Sequence, residues 1–350
     1  MITEAIRKVV AGETLTRDEA AQAMEAIMGG AATPAQIAGL LTALRVRGER
    51  EEEIAGFAET MRRFAVPVSL DLSTPVVDTC GTGGDGGRTF NVSTAAAFVV
   101  AGAGVPVAKH GNRAMSSASG SADVLEALGV RIDLGPEAVA HCVREAGIGF
   151  MFAQRFHPAM RHAAPVRREL GIRTVFNVLG PLTNPAGVRH QLVGVAMPDM
   201  VETVARVLVL LGVSHALVVH ATDGLDELSL SAPTLVYDVR TNGMSSVRTF
   251  TIEPESLGIP AAPLSTVRGG TAQENALMIR RILSGEERGP ARAITVLNAA
   301  AALYAADAVE SIAEGIARAT AAIDSGAAQA RLEALVRLSQ SLAETEAGVA

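Results

Sequence analysis

From Pro75 onward, short β-branched runs alternate with alanine-rich stretches of helical spacing, and this restricts the fold more than any other feature of the chain. Residues 75–79 read as a buried strand, followed by glycines and by a helix through 95–101. Segments 105–108, 148–153 and 216–220 read as further strands, with helices at 122–128 and 201–211 between them. Later strands are expected at 235–239 and 247–252, where antiparallel pairing is open. The chain then reads as helical over 271–284, 292–305 and much of 309–340, with a frayed tail. Such alternation implies a mainly parallel central sheet flanked by helices, with the ligand site beyond the carboxyl ends of the strands.

The first 65 residues read as helices alone. Thr16 with Glu19, and Thr33 with Gln36, fit the capping-box pattern, and Pro34 stands where a first helical residue is expected. A third helix follows Glu51, Glu52 and Glu53, whose charges suit a helix N-terminus. Residues 67–74 read as a linker. At about 100–200 residues per domain, a chain of 350 residues fits one large or two unequal domains. The expected division is a helical domain at 1–70, joined by part of a 165–190 crossover, and an α/β domain at 71–350. Within that crossover, 177–187 is rich in Asn, Gly and Pro and reads as a connection between two parts of the fold.

Composition removes several classes. Half the chain is apolar (49%) and 19% is charged, so a disordered or fibrous chain is excluded. The best apolar run, 95–108, is broken by Gly102, Gly104 and Pro106, and the one after Val201 carries Arg206, so no membrane span of about 18 residues is expected. The opening residues lack a basic region leading into an apolar stretch, so no signal peptide and a cytoplasmic location are expected. Cys80 and Cys142 have neither metal nor redox spacing. A net charge of −7 disfavours a duplex-binding surface, and no nucleic-acid or membrane partner is expected.

The sharpest local signal is Gly81-Thr82-Gly83-Gly84-Asp85-Gly86-Gly87, five glycines in seven positions between a strand and a helix. Its backbone can approach a ligand closely, and the following helix, capped near Asn91, Ser93 or Thr94, aims free N–H groups and a positive dipole end at it. That is an anion cradle; the bland alternative is a tight turn, which needs one or two glycines. Gly81, Gly83 and Gly86 also satisfy G-x-G-x-x-G, but Asp85 inside the loop repels a pyrophosphate, and the next strand ends in Lys109 and His110 instead of a ribose-binding acid. No Gly-Lys-Ser/Thr closes the loop as a Walker A sequence does.

Lys109-His110-Gly111-Asn112-Arg113 falls just after the second strand, on the same rim. Only two of the 30 basic residues are lysine, so Lys109 suggests a need for a compact ammonium, although genome composition alone can scatter two lysines. Ser116, Ser117, Ser119 and Ser121 follow before a helix. The alternative is a solvated polar loop. Asp223-Gly224-Leu225-Asp226-Glu227 also lies on the carboxyl side, and its acids suit Mg²⁺ bridging to phosphate oxygens, or simply form a solvated turn. Between them, segments 155–162 and 165–171 offer arginines able to hold a carboxylate by two parallel hydrogen bonds, or to form surface ion pairs, and His157 to line a polar pocket.

Taken together, the motifs at Gly81–Asp85, Asn91–Thr94, Lys109–Arg113, His157–Met160, Val166–Gly171 and Asp223–Glu227 resemble the anthranilate phosphoribosyltransferases in order and spacing over roughly residues 5–340. The resemblance implies a nucleoside phosphorylase/phosphoribosyltransferase-like fold, a helical domain plus a larger α/β domain, and a homodimer through the helical part. It implies transfer of phosphoribosyl from phosphoribosyl pyrophosphate to the amine of anthranilate. By that likeness Gly81, Thr82, Gly83, Gly84, Asp85, Thr89, Asn91, Ser93, Thr94, Lys109 and Ser121 hold phosphoribosyl pyrophosphate. Gly81, His110, Asn112, His157 and Arg167 meet anthranilate. Ser93, Asp226 and Glu227 bind Mg²⁺, and Lys109, Asp226 and Glu227 act in catalysis. Ala118 departs from relatives, which often carry a basic residue there.

Two other classes stay open. A pyrimidine nucleoside phosphorylase shares the architecture without these motifs and is exposed by phosphorolysis of thymidine or uridine. A nucleic-acid-binding relative is exposed by salt-sensitive DNA affinity without transferase activity, but the net charge and the carboxylate pair oppose it.

Overall fold

A computed structural model describes residues 2–84, 87–114, 118–241 and 245–349. The N-terminal part forms α1 (Ile2–Val10), α2 (Arg17–Met28), α3 (Pro34–Arg47) and α4 (Glu51–Phe64). Both expected capping boxes close. The Thr16 and Thr33 hydroxyls accept the N–H groups of Glu19 and Gln36 at 3.2 and 3.3 Å, and those side chains accept the threonine N–H groups at 2.9 Å. Of the three acids opening α4, Glu53 turns inward. Its buried carboxylate accepts the N–H groups of Leu15 and Arg50 at 2.8 and 2.9 Å and pairs with Arg47, tying the end of α3 to the start of α4.

The α/β part alternates strands and helices as the sequence pattern requires. Its strands are β1 (Val77–Gly81), β2 (Val107–Gly111), β3 (Ile148–Phe152), β4 (His190–Gly194), β5 (His215–Ala221), β6 (Thr234–Arg240) and β7 (Ser246–Ile252). Its helices are α5 (Val92–Gly102), α6 (Ser121–Ala127), α7 (Pro136–Ala146), α8 (Ala153–Phe156), α9 (Ala164–Leu170), α10 (Phe176–Leu182), α11 (Val201–Leu210), α12 (Ala272–Leu283), α13 (Pro290–Ala305), α14 (Ile312–Asp324) and α15 (Ala327–Val349). The described residues form one seven-stranded sheet in the order β3-β2-β1-β4-β5-β6-β7. Strands β1 to β5 pair in parallel, and β6 and β7 pair antiparallel. From β1 the chain builds outward to β2 and β3, whereas β4 and β5 extend the other way. The crevice between the carboxyl ends of β1 and β4 is therefore the topological switch point, where open α/β sheets bind ligands.

Two apolar cores flank the sheet. One gathers α5, α7, α12, α13, α14 and α15, with residues 95–101 of α5 at most 1% exposed. The other joins α1 to α4 with α9, α10 and α11 and with Val193, Val218 and Val239 from the sheet. Each fully buried side chain such as Phe57 or Leu44 contributes about 1.5–3 kcal/mol, so the N-terminal helices are held by tertiary burial more than by helix propensity.

Several expectations need correction. Strand β1 starts at Val77, because Pro75 cannot donate to a ladder. Strand β4 and helix α7 are additions to the expected elements. Segment 177–187 is not all irregular: α10 runs to Leu182 with Pro181 in its final turn. Residues 309–340 contain two helices parted by Gly326 at φ 76°. The tail stays helical to Val349, and the Glu346 carboxylate accepts the Gly135 N–H at 3.0 Å.

Candidate active site

The glycine loop leaves β1 at the switch point and is stitched to β4. The Thr82 N–H donates to the Gly194 carbonyl at 2.9 Å, and the Thr82 hydroxyl accepts the Ala196 N–H at 3.2 Å. The acidic loop after β5 folds back over the same crevice. Leu225 is fully buried and anchors it, while Asp223 accepts the hydroxyls of Ser229 and Ser231 and so shapes the turn. Asp226 and Glu227 are thereby delivered to the glycine loop. Asp226 Oδ2 accepts the Gly83 N–H at 2.8 Å, and Glu227 Oε1 accepts the Ser93 N–H at 3.2 Å. This corrects the expectation of a free helix N-terminus at α5, since a carboxylate of the chain itself complements that dipole end. The approach depends on Gly194: a Cβ there would lie 1.6 Å from the Asp226 carbonyl oxygen.

Lys109 lies beneath this contact. It is 2% exposed, and its ammonium donates to the Thr79 carbonyl and to Ser93 Oγ at 3.4 Å. Burial lowers its pKa from the ordinary lysine value, and the negative charge of Asp78 opposes that shift. Asp78 belongs to no motif in the sequence. Its fully buried carboxylate accepts the His110 N–H at 3.3 Å and the Asn184 amide at 2.8 Å, and Asn184 also donates to the Ala108 carbonyl at 2.9 Å. These bonds fix β1 to β2 and to the chain after α10. Burial raises the Asp78 pKa, while Lys109 and the hydrogen bonds pull it down.

Successive side chains of a strand point to opposite faces, so Lys109 and His110 serve different sides of β2. His110 Nδ1 meets the Gly180 carbonyl at 3.2 Å, and its ring lies 5.0 Å from that of His157. Burial pushes the two imidazoles down to about 3 and about 4, with the proximity of His157 also acting on His110, so both are neutral at pH 7. The Nε2 atom of each is buried without a hydrogen-bond partner among the described residues. Such atoms cost about 1–3 kcal/mol unless a polar group meets them. Arg167 on α9 stacks over Phe176 at 5.1 Å, and its burial lowers its pKa. Phe176 and Gly180 stand one helical turn apart on α10, which brings Arg167 and His110 to the same helix face.

The remaining expected residues fall around these two sides. Asn91 precedes α5 but does not cap it; its amide donates to the Ser119 carbonyl at 3.2 Å and its oxygen accepts from Asn275 at 2.9 Å. Thr94 is buried in the first turn of α5, its hydroxyl without a partner among the described residues. Ser121 opens α6 and donates to the Asn112 carbonyl at 3.3 Å, and the Asn112 side chain is exposed at the end of β2. Gly81 ends β1, Gly84 accepts from Arg173, and Thr89 is half-buried beside Gly269. Asp85, Ser116 and Ser117 lie outside the described residues. Arg113 turns away to Asp123 and Glu126, and Arg155 pairs with Glu346 and so follows the ion-pair alternative.

The donor set suits a hard divalent cation. Asp226 and Glu227 offer carboxylate oxygens beside the Ser93 hydroxyl, whereas no three His, Cys, Asp or Glu side chains among the described residues converge as a metal cage. Mg²⁺ has that preference: one or two carboxylates, with the other positions left to water and substrate oxygens.

Residues 3–65 match the glycosyl transferase family's helical bundle domain and residues 73–329 its a/b domain. The chain is 70% identical to anthranilate phosphoribosyltransferase of Thermomicrobium roseum, over 99% of both chains. Anthranilate phosphoribosyltransferase from Thermus thermophilus superposes with a TM-score of 0.89 at 47% identity, covering 96% of this chain and 99% of that one. The Saccharomyces cerevisiae enzyme, solved with PRPP and Mg, gives 0.88 at 30% identity over 97% and 98%.

Proposed function

The chain belongs to the anthranilate phosphoribosyltransferase family, and from that premise we propose how its residues share the work of the reaction. The enzyme transfers the phosphoribosyl group of phosphoribosyl pyrophosphate to the amine of anthranilate, releasing pyrophosphate, in tryptophan biosynthesis, and it uses Mg²⁺. The meeting of Gly83, Ser93 and Lys109 with Asp226 and Glu227 at one crevice is the observation that carries this reading.

The anomeric carbon loses its bond to pyrophosphate, which takes the electron pair, and gains one to the anthranilate nitrogen, which then sheds a proton. Charge on the departing diphosphate is the main obstacle, and fixed positive groups lower it most effectively. The buried Lys109 ammonium, held by Thr79 and Ser93, is such a group. Gly81, Thr82, Gly83, Gly84 and Asp85, with Thr89, Asn91, Ser93, Thr94 and Ser121, surround the phosphoribosyl donor. Ser93, Asp226 and Glu227 hold Mg²⁺, which when bound supplies Lewis-acid neutralisation of the diphosphate oxygens. An aromatic amine is unprotonated at neutral pH, so its partners need only place it. Arg167 and Asn112 meet the anthranilate carboxylate beside Gly81, and the neutral rings of His110 and His157 form the wall.

Arg167→Ala is expected to raise the anthranilate KM by roughly 10- to 100-fold, the worth of hydrogen bonds to a charged group, while kcat changes less. Steady-state kinetics with both substrates varied checks it, and an unchanged anthranilate KM refutes the carboxylate assignment. The whole reading is tested by anthranilate fluorescence with phosphoribosyl pyrophosphate, with and without Mg²⁺. The chain has no tryptophan, so background emission is low. A signal that stays constant with both substrates and metal present overturns the reading.

The helical domain comprises 1–70 with part of 165–190, the α/β domain 71–350, and the protein acts in the cytoplasm as a homodimer through the helical domain. Val10 at 71% and Val46 at 83% exposure, near the helix ends of that domain, support an apolar contact there. Analytical ultracentrifugation is expected to give a dimer that Val46→Asp weakens; a monomer at micromolar concentration removes this assignment. No helix among the described residues is long and apolar enough to cross a membrane.

A further inference from the structure

Two guanidinium groups at the mouth of the glycine loop have no role in the scheme above. Arg88, which follows the loop directly, donates from Nη1 to the main-chain oxygen of Asp223 at 2.8 Å. Arg173, between α9 and α10, donates from Nη2 to the main-chain oxygen of Gly84. Both contacts lie at the exposed rim of the crevice. Together they strap the glycine loop to the acidic loop on one side and to the crossover on the other. Elsewhere on the surface Arg113 meets Glu126 and Arg206 meets Glu202, while Arg189 rests on the Gly212 carbonyl. A lone carbonyl is a poor match for five donors arranged in a fork that fits phosphate.

The Arg173 contact is at a glycine held in the left-handed region, and the Arg88 contact is beside one. Gly84 has φ +92°, and a Cβ there would stand 2.7 Å from Arg173 Nη2; Gly224 has φ +93°, and its Cβ would stand 3.5 Å from Arg88 Nη1. At Gly84 the bare backbone thus lets the cation come close, whereas the distance at Gly224 is ordinary van der Waals contact. The donor substrate carries a phosphate monoester of about −2 charge in addition to its diphosphate. Against that polyanion the scheme sets Lys109 and a Mg²⁺ whose charge is already offset by Asp226 and Glu227. Positive charge is short.

We propose that Arg88 and Arg173 are substrate-binding residues that supply it, each guanidinium exchanging its main-chain carbonyl for phosphoryl oxygens of the donor. The proposal rests on the phosphoribosyl-transfer reading and extends it to residues with no assigned part.

The test compares Arg88→Gln, Arg173→Gln and the double variant with the parent, using steady-state kinetics in both substrates and calorimetry of Mg²⁺-pyrophosphate binding. Each single change is expected to raise the phosphoribosyl pyrophosphate KM about tenfold and the pair about 100-fold, with anthranilate KM held within about twofold. Pyrophosphate affinity falls in parallel, Arg173→Lys recovers part of the loss, and the double variant depends less steeply on salt. Arg189→Gln, which alters an arginine on the Gly212 carbonyl at the far end of β4, is expected to match the parent. Donor KM and pyrophosphate affinity within twofold of the parent overturn the proposal, as does a rise confined to anthranilate KM. A parent lacking donor-dependent turnover fails the reaction reading instead, and pyrophosphate binding still judges the arginines.

Discussion

Asp226→Asn combined with Glu227→Gln is expected to lower kcat by on the order of 10²- to 10³-fold, the scale found when one preorganised stabiliser of transition-state charge is lost. The amides keep an oxygen able to accept the Gly83 and Ser93 N–H groups, now at 2.8 and 3.2 Å, so the two loops stay joined while the negative charge disappears. What is lost is affinity for a hard cation, because Mg²⁺ sheds water only for strongly negative oxygen ligands. Calorimetric Mg²⁺ titration and kcat measured across Mg²⁺ concentration read this directly. Both are expected to shift together, with the thermal midpoint nearly unchanged. Mg²⁺-stimulated turnover within threefold of the parent sinks the metal assignment of the pair.

The double amide also separates two roles that the geometry superimposes. In the structure the carboxylates close the crevice by accepting main-chain N–H groups, and in the proposed reaction they hold the cation. A variant with the closed geometry and no charge loses the second role alone. Lys109 is not exchangeable with them, since its ammonium is buried below the loop against Thr79 and Ser93 and cannot follow a moving ligand.

The parts of this site that are legible in the sequence are those where chemistry is written locally. Five glycines in a seven-residue loop have a high conformational cost and little structural excuse, which marks the segment from Gly81 to Gly87. Thr16 with Glu19 and Thr33 with Gln36 announce helix starts because both halves of each box lie within one turn. Strand β4 is hidden because its first residues are polar. His190 and Gln191 meet partners outside the strand, the carbonyls of Ala305 and Pro181 at 2.9 and 2.8 Å. Helix α7 does carry a signal, with Pro136 at its first position and Gly147 at φ 75° beyond its end. Asp78, Asn184, Arg88 and Arg173 are not legible as site residues. Each acquires meaning from a partner that the chain brings near only on folding, at separations of 106 residues for Asn184 with Asp78 and 135 for Arg88 with Asp223.

Gly194→Ala is expected to disable the enzyme as thoroughly as removing the carboxylates, though it adds one methyl group and touches no charge. The added Cβ would lie 1.6 Å from the Asp226 carbonyl oxygen, 2.5 Å from its carbonyl carbon and 3.1 Å from its Cα, all main-chain atoms that cannot rotate aside. Two relaxations are open. The acidic loop retreats, pulling Asp226 and Glu227 from Gly83 and Ser93, or the end of β4 withdraws from β1, breaking the Gly81–Gly194 register and the Thr82 bond at 2.9 Å. Either parts the glycine loop from its carboxylates. Overpacking of this kind costs about 1–3 kcal/mol in stability, so the thermal midpoint drops while the chain still folds. Turnover falls by about 100-fold or more, because a displacement near 1 Å at reacting groups is already that costly. Gly39→Ala is the matched control. It lies in the middle of α3 with only the Ile6 Cδ1 at 3.8 Å from its new Cβ, so stability should rise by about 0.5–1 kcal/mol with kcat unchanged. Measured together, a Gly194→Ala enzyme with Mg²⁺ affinity and kcat within threefold of the parent shows that the acidic loop need not lie across β4 for the site to work, and separates the close approach from the chemistry.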